Sequence, residues 1–303
     1  MKKISIFLIC LAITLIATII AVGFFRENSD LVSPASLSSN VLGLNQWFPV
    51  FEEDQYINSP KITAKSALFV DSTSGQVLFD KNSKDKLPIA SLTKVMTVLI
   101  ALEHKDLNDQ MLVSDKASNM EPDKMLLIAE EKLTLKELLY GIFLISANDG
   151  AEVLAERSTG SREEFLRLMN DKARQLGMED SLFVNPTGLD EDMGSSYSSA
   201  YDLVLLTRYL IKHFPQVVDI SKTEHIVLPE TVDHQAYDMY SGINLLTTYP
   251  GVVGFKTGFT PEAGFTLITL ARENGHEVIG VMLGSENRRE EAKELLDYSF
   301  TKL

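Results

Sequence analysis

Eight consecutive residues, Val95 to Leu102, carry one polar side chain, Thr97, and no charge. A helix through them is apolar on nearly every side, which fits a helix buried in the middle of a domain rather than one lying on its surface. With 303 residues and 45% hydrophobic side chains the chain can supply the surrounding layers. Strand signals lie at both ends of the body. Ala67 to Val70 and Val77 to Phe79 flank Ser72-Thr73-Ser74-Gly75 and read as a hairpin. Phe265 to Ala271 and Glu277 to Leu283 flank Asn274-Gly275, the strongest short hairpin signal.

Between the hairpins the pattern is helical. Thr134 with Glu137 and Ser161 with Glu164 match the capping box. Phe165, Leu168, Met169 and Leu176 follow the second at helical spacing and stop at Gly177. A charged amphipathic helix from about Arg288 to Tyr298 closes the chain. The expected fold class is α+β. The terminal hairpins pair into one antiparallel β-sheet flanked by helices on both faces, the buried helix and the last helix covering it. A helical subdomain within about 105–250 completes the body, with the active site in the cleft between.

The N-terminus is different material. Lys2 and Lys3 precede an uncharged run from Ile4 to Phe25, broken only by Ser5, Thr14 and Thr18. This is an export element: long enough for a retained anchor, with Ala21-Val22-Gly23 as a small-x-small cleavage site if it is removed. The lysines stay inside, so the body faces outward. The only cysteine, Cys10, lies in this run and leaves the body without a disulfide or thiol nucleophile. The expected division is residues 1–25 as signal or anchor, 26–60 as spacer and 61–303 as the folded body. Trp47, Phe48 and Phe51 in the spacer are candidates to dock on the body. A net charge of -14 argues against nucleic acid as a partner.

Three short motifs carry chemistry. Ser91-Leu92-Thr93-Lys94 opens the buried helix, where positions i and i+3 share a face and bring the hydroxyl beside the amine. A partly desolvated lysine can be neutral and take a serine proton. Alone, this pair arises roughly once in a chain of such length and also fits a helix cap with an outward-reaching lysine. Ser146-Ala147-Asn148 falls in a break between the helix from Leu135 to Leu144 and one beginning near Asp149. There Ser146 can relay a proton and Asn148 can hold a substrate amide, though Ser and Asn are also ordinary turn residues. Lys256-Thr257-Gly258 follows a short strand, Gly251 to Phe255, and has roughly a one-in-ten chance of arising by composition. A cation and a hydroxyl at a strand edge suit a substrate carboxylate, and Gly258 lets a substrate backbone approach. Their leading residues are 55 and 110 positions apart. In that order the three match the motif set of penicillin-binding proteins and class A β-lactamases.

The chain resembles the low-molecular-mass penicillin-binding proteins that act as D-alanyl-D-alanine carboxypeptidases, from about Ile62 to the C-terminus. Beyond the three motifs the resemblance takes in Pro88-Ile89-Ala90, Asp149, Asn185 to Asp190, Gly254, Thr260, Ala263-Gly264, and Arg288 ahead of Leu295-Leu296-Asp297-Tyr298. It implies Ser91 as nucleophile, Lys94 as base, and Ser146 with Lys256 as proton shuttle to the leaving amine. Asn148 would hold the peptide, Thr257 and Arg288 the terminal carboxylate, and the N–H groups of Ser91 and Phe259 an oxyanion hole. The implied substrate is a peptidoglycan stem peptide ending in D-Ala-D-Ala. β-Lactam antibiotics would act as covalent inhibitors, with no cofactor and no metal. The location implied is the outer face of a bacterial membrane, or secretion if the N-terminal segment is cleaved. The chain ends just after its last helix, so the β-rich domain and C-terminal anchor of many relatives are expected to be missing and anchoring to fall to the N-terminus. Phe259, directly after the K-T-G motif, is unusually bulky.

The same residues suit endopeptidase action on crosslinks. An inactive wall-peptide binder should lack one of Ser91, Lys94 or Lys256, and all three are present. A class A β-lactamase needs a Glu-x-x-Leu-Asn loop, and after Glu179 and Leu182 this chain has Phe183 where Asn is required. His104, His213, His225, His234 and His276 show no zinc-ligand spacing.

Overall fold

A computed structural model describes residues 47–51, 59–190 and 194–303. The N-terminal apolar run and nearly all of the spacer lie outside the described residues. Among the described residues no helix is long and apolar enough to cross a membrane. Phe48–Leu303 forms one compact unit.

The body opens with strands β1 (Ser66–Asp71), β2 (Val77–Lys81) and β3 (Leu87–Pro88), then a 3-10 turn, Ala90–Leu92, that leads into α1 (Thr93–His104). Strand β4 (Gln110–Leu112), α2 (Asp115–Ser118) and β5 (Lys132–Thr134) precede the helices α3 (Leu135–Leu144), α4 (Asn148–Arg157) and α5 (Arg162–Gln175). After β6 (Tyr197–Ser198) come α6 (Ala200–His213), α7 (Gln216–Ser221), the hairpin β7 (His225–Leu228) and β8 (Tyr237–Tyr240), and α8 (Leu245–Thr248). Strands β9 (Val252–Thr260), β10 (Gly264–Glu273) and β11 (His276–Ser285) and the last helix, α9 (Arg288–Phe300), complete the fold.

The main sheet has the order β2-β1-β11-β10-β9 and every pairing is antiparallel, so the two terminal hairpins do join, through β1 and β11. Asn274 (φ 50°) and Gly275 (φ 86°) form the β10–β11 turn with both φ positive, and this fixes the register at Glu273 opposite His276. One-face alternation then puts Ala67, Phe69, Leu267, Ala271, Val278 and Met282 into a core with Ala292, Leu295 and Leu296 of α9. Burying each leucine or phenylalanine there contributes about 1.5–3 kcal/mol.

The other face corrects the expectation. The helix lying on β1 and β11 is α6, and α7 lies on β9, while α1 packs one layer further in, against α4, α5 and α6. An all-round apolar helix is satisfied by helical neighbours as well as by a sheet, and hydropathy alone does not distinguish them. Of the two capping boxes read, Thr134 and Glu137 make the reciprocal box, whereas at Ser161 only half forms: Ser161 accepts from the Glu164 N–H, and the Glu164 carboxylate turns to Arg167 instead. Ahead of the body, Val50 pairs with the chain at Gly75 and Val77, and Phe51 stacks on Tyr201.

Candidate active site

Ser91 lies in the 3-10 turn just before α1, not in the helix proper. The turn is entered through Ala90 in the left-handed region (φ 48°). It is held by the loop that follows: Gly188 has φ 80°, and any Cβ there would collide with the Ala90 carbonyl. That loop is shaped by the fully buried Asn185, whose Oδ1 accepts from the Thr187 and Gly188 N–H groups and whose Nδ2 donates to the Leu189 carbonyl. The loop thereby turns the Thr187 carbonyl toward Lys94. Lys94 Nζ donates to it at 2.7 Å and to Ser91 Oγ at 2.9 Å. Ser91 is half-buried and reachable, whereas Lys94 is 0% exposed.

The second hydroxyl is paired in the same way. Ser146, left-handed at φ 62°, accepts from Lys256 Nζ at 2.9 Å, and Lys256 also donates to the Thr257 carbonyl at 2.6 Å. Here too the sequence expectation needs correcting. The strand does not stop at Phe255, because β9 runs on through Lys256, Thr257 and Gly258 to Thr260, an edge strand throughout. The ladder, with Lys256 opposite Ile268 and Thr257 opposite Leu267, aims the two side chains to opposite faces. Lys256 is thus buried toward Ser146, while Thr257 stays half-exposed on the α9 side.

Gly258 is where the two walls touch. A Cβ built on it would lie 2.9 Å from the Ser91 backbone nitrogen, 2.6 Å from Thr266 Oγ1 and 3.2 Å from Ala90 Cβ, so only glycine lets β9 pass this close to the nucleophile turn. Arg288, the first residue of α9, donates through Nη1 to the carbonyls of Gly258 (2.7 Å) and Thr266 (3.2 Å) and lies 5.0 Å above the Phe265 ring. Phe259 is exposed and packs on Phe265 with ring centroids 4.8 Å apart, forming an aromatic rim beside that guanidinium.

Asn148 is the first residue of α4, capped by Ala147. Its Nδ2 donates to the Pro122 carbonyl, and its buried Oδ1 has no partner among the described residues. Asp149, fully buried, accepts from the N–H groups of Met125 (3.0 Å), Leu127 (3.1 Å) and Gly150 (2.8 Å). The sequence reading did not single out Thr187 or the 122–127 segment for a role. A backbone carbonyl has no side-chain signal, and the segment is chosen by a buried carboxylate 22 residues away in sequence.

Burial pushes the Lys94 pKa well below that of a free lysine, and the charge of Lys256 lowers it further, opposed by Asp123 and Asp149. Burial, then the charge of Arg288, brings Lys256 down to about 7. The arrangement is a reachable hydroxyl with a neutralisable amine beside it, and a second amine–hydroxyl pair formed by Ser146 and Lys256. That is the constellation of acyl transfer by an activated serine. The five histidines are engaged elsewhere, for example His104 with the Ile100 carbonyl and His225 with Asp238.

A family model described as D-alanyl-D-alanine carboxypeptidase matches residues 53–287. The Bacillus subtilis D-alanyl-D-alanine carboxypeptidase DacF is 36% identical over 246 residues, covering 78% of this chain but 62% of that protein, so the chain spans less than two thirds of that relative. The Mycobacterium tuberculosis D-alanyl-D-alanine carboxypeptidase DacB2 is 30% identical over 247 residues, covering 80% of this chain and 84% of its own length. Among solved structures, the Streptomyces K15 DD-transpeptidase superposes with a TM-score of 0.75 at 26% identity over 80% of this chain and 99% of that one. Matched by the family model over most of its length, the chain belongs to the D-alanyl-D-alanine carboxypeptidase family, peptidase S11.

Proposed function

We propose that the protein is a serine-type D-alanyl-D-alanine carboxypeptidase that removes the terminal D-alanine from peptidoglycan stem peptides. The observation that carries this is the fully buried Lys94 amine at 2.9 Å from the reachable Ser91 hydroxyl. Neutral Lys94 takes the Ser91 proton as Oγ bonds to the carbonyl carbon of the penultimate residue. The developing oxyanion is met by the N–H groups of Ser91 and Phe259. The C–N bond then breaks, and the leaving amine of the terminal D-alanine takes a proton from Ser146, which Lys256 resupplies; the proton that Lys94 took from Ser91 restores Lys256 and leaves Lys94 neutral again. Water adds to the resulting ester, its hydroxyl going to the acyl group and its proton returning Ser91 to the alcohol. β-Lactams would enter the first half of this cycle and stay bound as esters of Ser91. Asn148 would contact the acyl-side amide, and Thr257 with Arg288 the terminal carboxylate.

The charge pattern of residues 1–25 supports an extracytoplasmic location, with that segment retained as an anchor or cleaved. Deleting residues 1–25 should then leave the protein inside the cell. Retention of an exported pool by the truncated chain would contradict it.

The test of activity is release of free D-alanine from a peptide ending in D-Ala-D-Ala, beside a Ser91→Ala variant. Release that vanishes in the variant is expected. Release that survives Ser91→Ala, or none from the wild type, would remove the proposal.

A further inference from the structure

The loop that carries Ser146 also fastens a rim of the cleft. Asn148 donates its side-chain amide to the Pro122 carbonyl and its backbone N–H to the Asp123 carbonyl at 2.8 Å. Asp149 then takes the N–H groups of Met125 and Leu127. Four bonds from two adjacent residues thus pin 122–127 beside the catalytic groups. In that pinned segment Asp123 stands in the left-handed region (φ 48°) and is exposed. Its carboxylate has no hydrogen bond or ion pair among the described residues, because the neighbouring Lys124 is paired with Glu121 instead. A non-glycine residue held left-handed by tertiary bonds is an arrangement that clusters at ligand sites.

The charges around it are arranged asymmetrically. Lys94, Lys256 and Arg288 are the basic groups of the cleft, and each is already bonded to protein. The bond from the Asn148 N–H to the Asp123 carbonyl sets Asp123 on the rim beside the Ser146 loop, and its charge raises the pKa values of both lysines against the effect of burial. Neither buried amine reaches it. An unpaired carboxylate on a pinned backbone there is complementary to a cation that arrives with the substrate. Its attachment to Asn148, the residue read as holding the acyl-side amide, places it along the acyl part of a bound peptide.

We propose that Asp123 is a specificity-determining residue that receives a positively charged side chain, an ammonium group, on the acyl part of the substrate. The assignment rests on the carboxypeptidase reading. The test uses two peptides ending in D-Ala-D-Ala preceded by lysine, one with a free ε-amine and one ε-acetylated. Wild type should favour the free amine in kcat/KM by about 2- to 5-fold at low salt, the size of a partly exposed ion pair, and the preference should shrink as salt is added. Asp123→Asn should turn over both peptides with the preference reduced to the share that the net charge supplies, and Asp123→Lys should reverse it. A net charge of -14 can by itself attract the cationic peptide, but Asp123→Asn would keep that share. Equal turnover of both peptides by wild type, or an undiminished preference in Asp123→Asn, overturns the assignment while leaving the carboxypeptidase reading standing. A loss common to both peptides would mark Asp123 as structural and overturn it too. No release from either peptide by wild type would overturn that reading and the assignment with it.

Discussion

Lys94 and Lys256 are each buried and each 2.9 Å from a serine hydroxyl, yet the walls that carry them are built by opposite means. The wall of Lys256 is a strand in an unbroken ladder at that point, where pairing with β10 decides which face each side chain takes. The wall of Lys94 and Ser146 is irregular. Ala90, Asp123, Leu126 and Ser146 all have positive φ without being glycine, at a cost of order 1–3 kcal/mol each. Asn148 bonds the Asp123 carbonyl, Asp149 holds the N–H groups on either side of Leu126, and Asn185 shapes the loop that packs Gly188 on Ala90. The strand wall is therefore stable by pairing, and the helical wall by a few buried side-chain bonds.

That difference can be broken at the contact point. Gly258→Val would drive a side chain into the Ser91 turn, and a displacement near 1 Å costs about 100-fold or more in acylation. Circular dichroism should show the fold intact, since the ladder itself is undisturbed. Next in size is Lys256→Met. Removing that cation lets Lys94 hold its proton more tightly, so the rising limb of the pH–acylation profile should move to higher pH. The rate at neutral pH should fall about 10- to 100-fold. The same change has a stability signature. Between about pH 7 and the free-lysine value of 10.5 the unfolded chain binds a proton at Lys256 that the native protein has released, so wild-type stability gains as pH rises through that window. Lys256→Met should flatten the gain in denaturant titrations.

Asp149→Ala sharpens the other side of the comparison. It leaves the Met125, Leu127 and Gly150 N–H groups without their acceptor and should lower stability by about 1–3 kcal/mol. Hydrogen exchange should rise first in 122–127 and stay unchanged in β9 and β10. The smallest effect is expected from Phe259→Ala. That ring is exposed, so stability should move by no more than about 0.5 kcal/mol, and any change in turnover reports on the rim rather than the fold.

The same division explains what could be read from the chain. The strand wall was legible: alternation and the Asn274-Gly275 turn set register, and the terminal hairpins join as anticipated. The extent of β9 was misjudged, because Lys256-Thr257-Gly258 lacks the apolar alternation that marks a strand while still pairing as one. The helical wall was legible only as motifs. Ser91, Lys94, Ser146 and Asn148 were visible by type and spacing, but the carbonyl of Thr187 and the placement of Asp123 depend on tertiary bonds that no local pattern encodes. The position of α1 within the helical layer, away from the sheet, was hidden for a related reason, since its apolar surface does not name its neighbours.

The most direct measurement of the central claim is the mass and site of the adduct formed on brief exposure to penicillin. The account predicts one adduct per chain, on the peptide containing Ser91, forming faster as pH rises through the neutral range and absent in Ser91→Ala. An adduct on Ser146, or one that persists in Ser91→Ala, would contradict it.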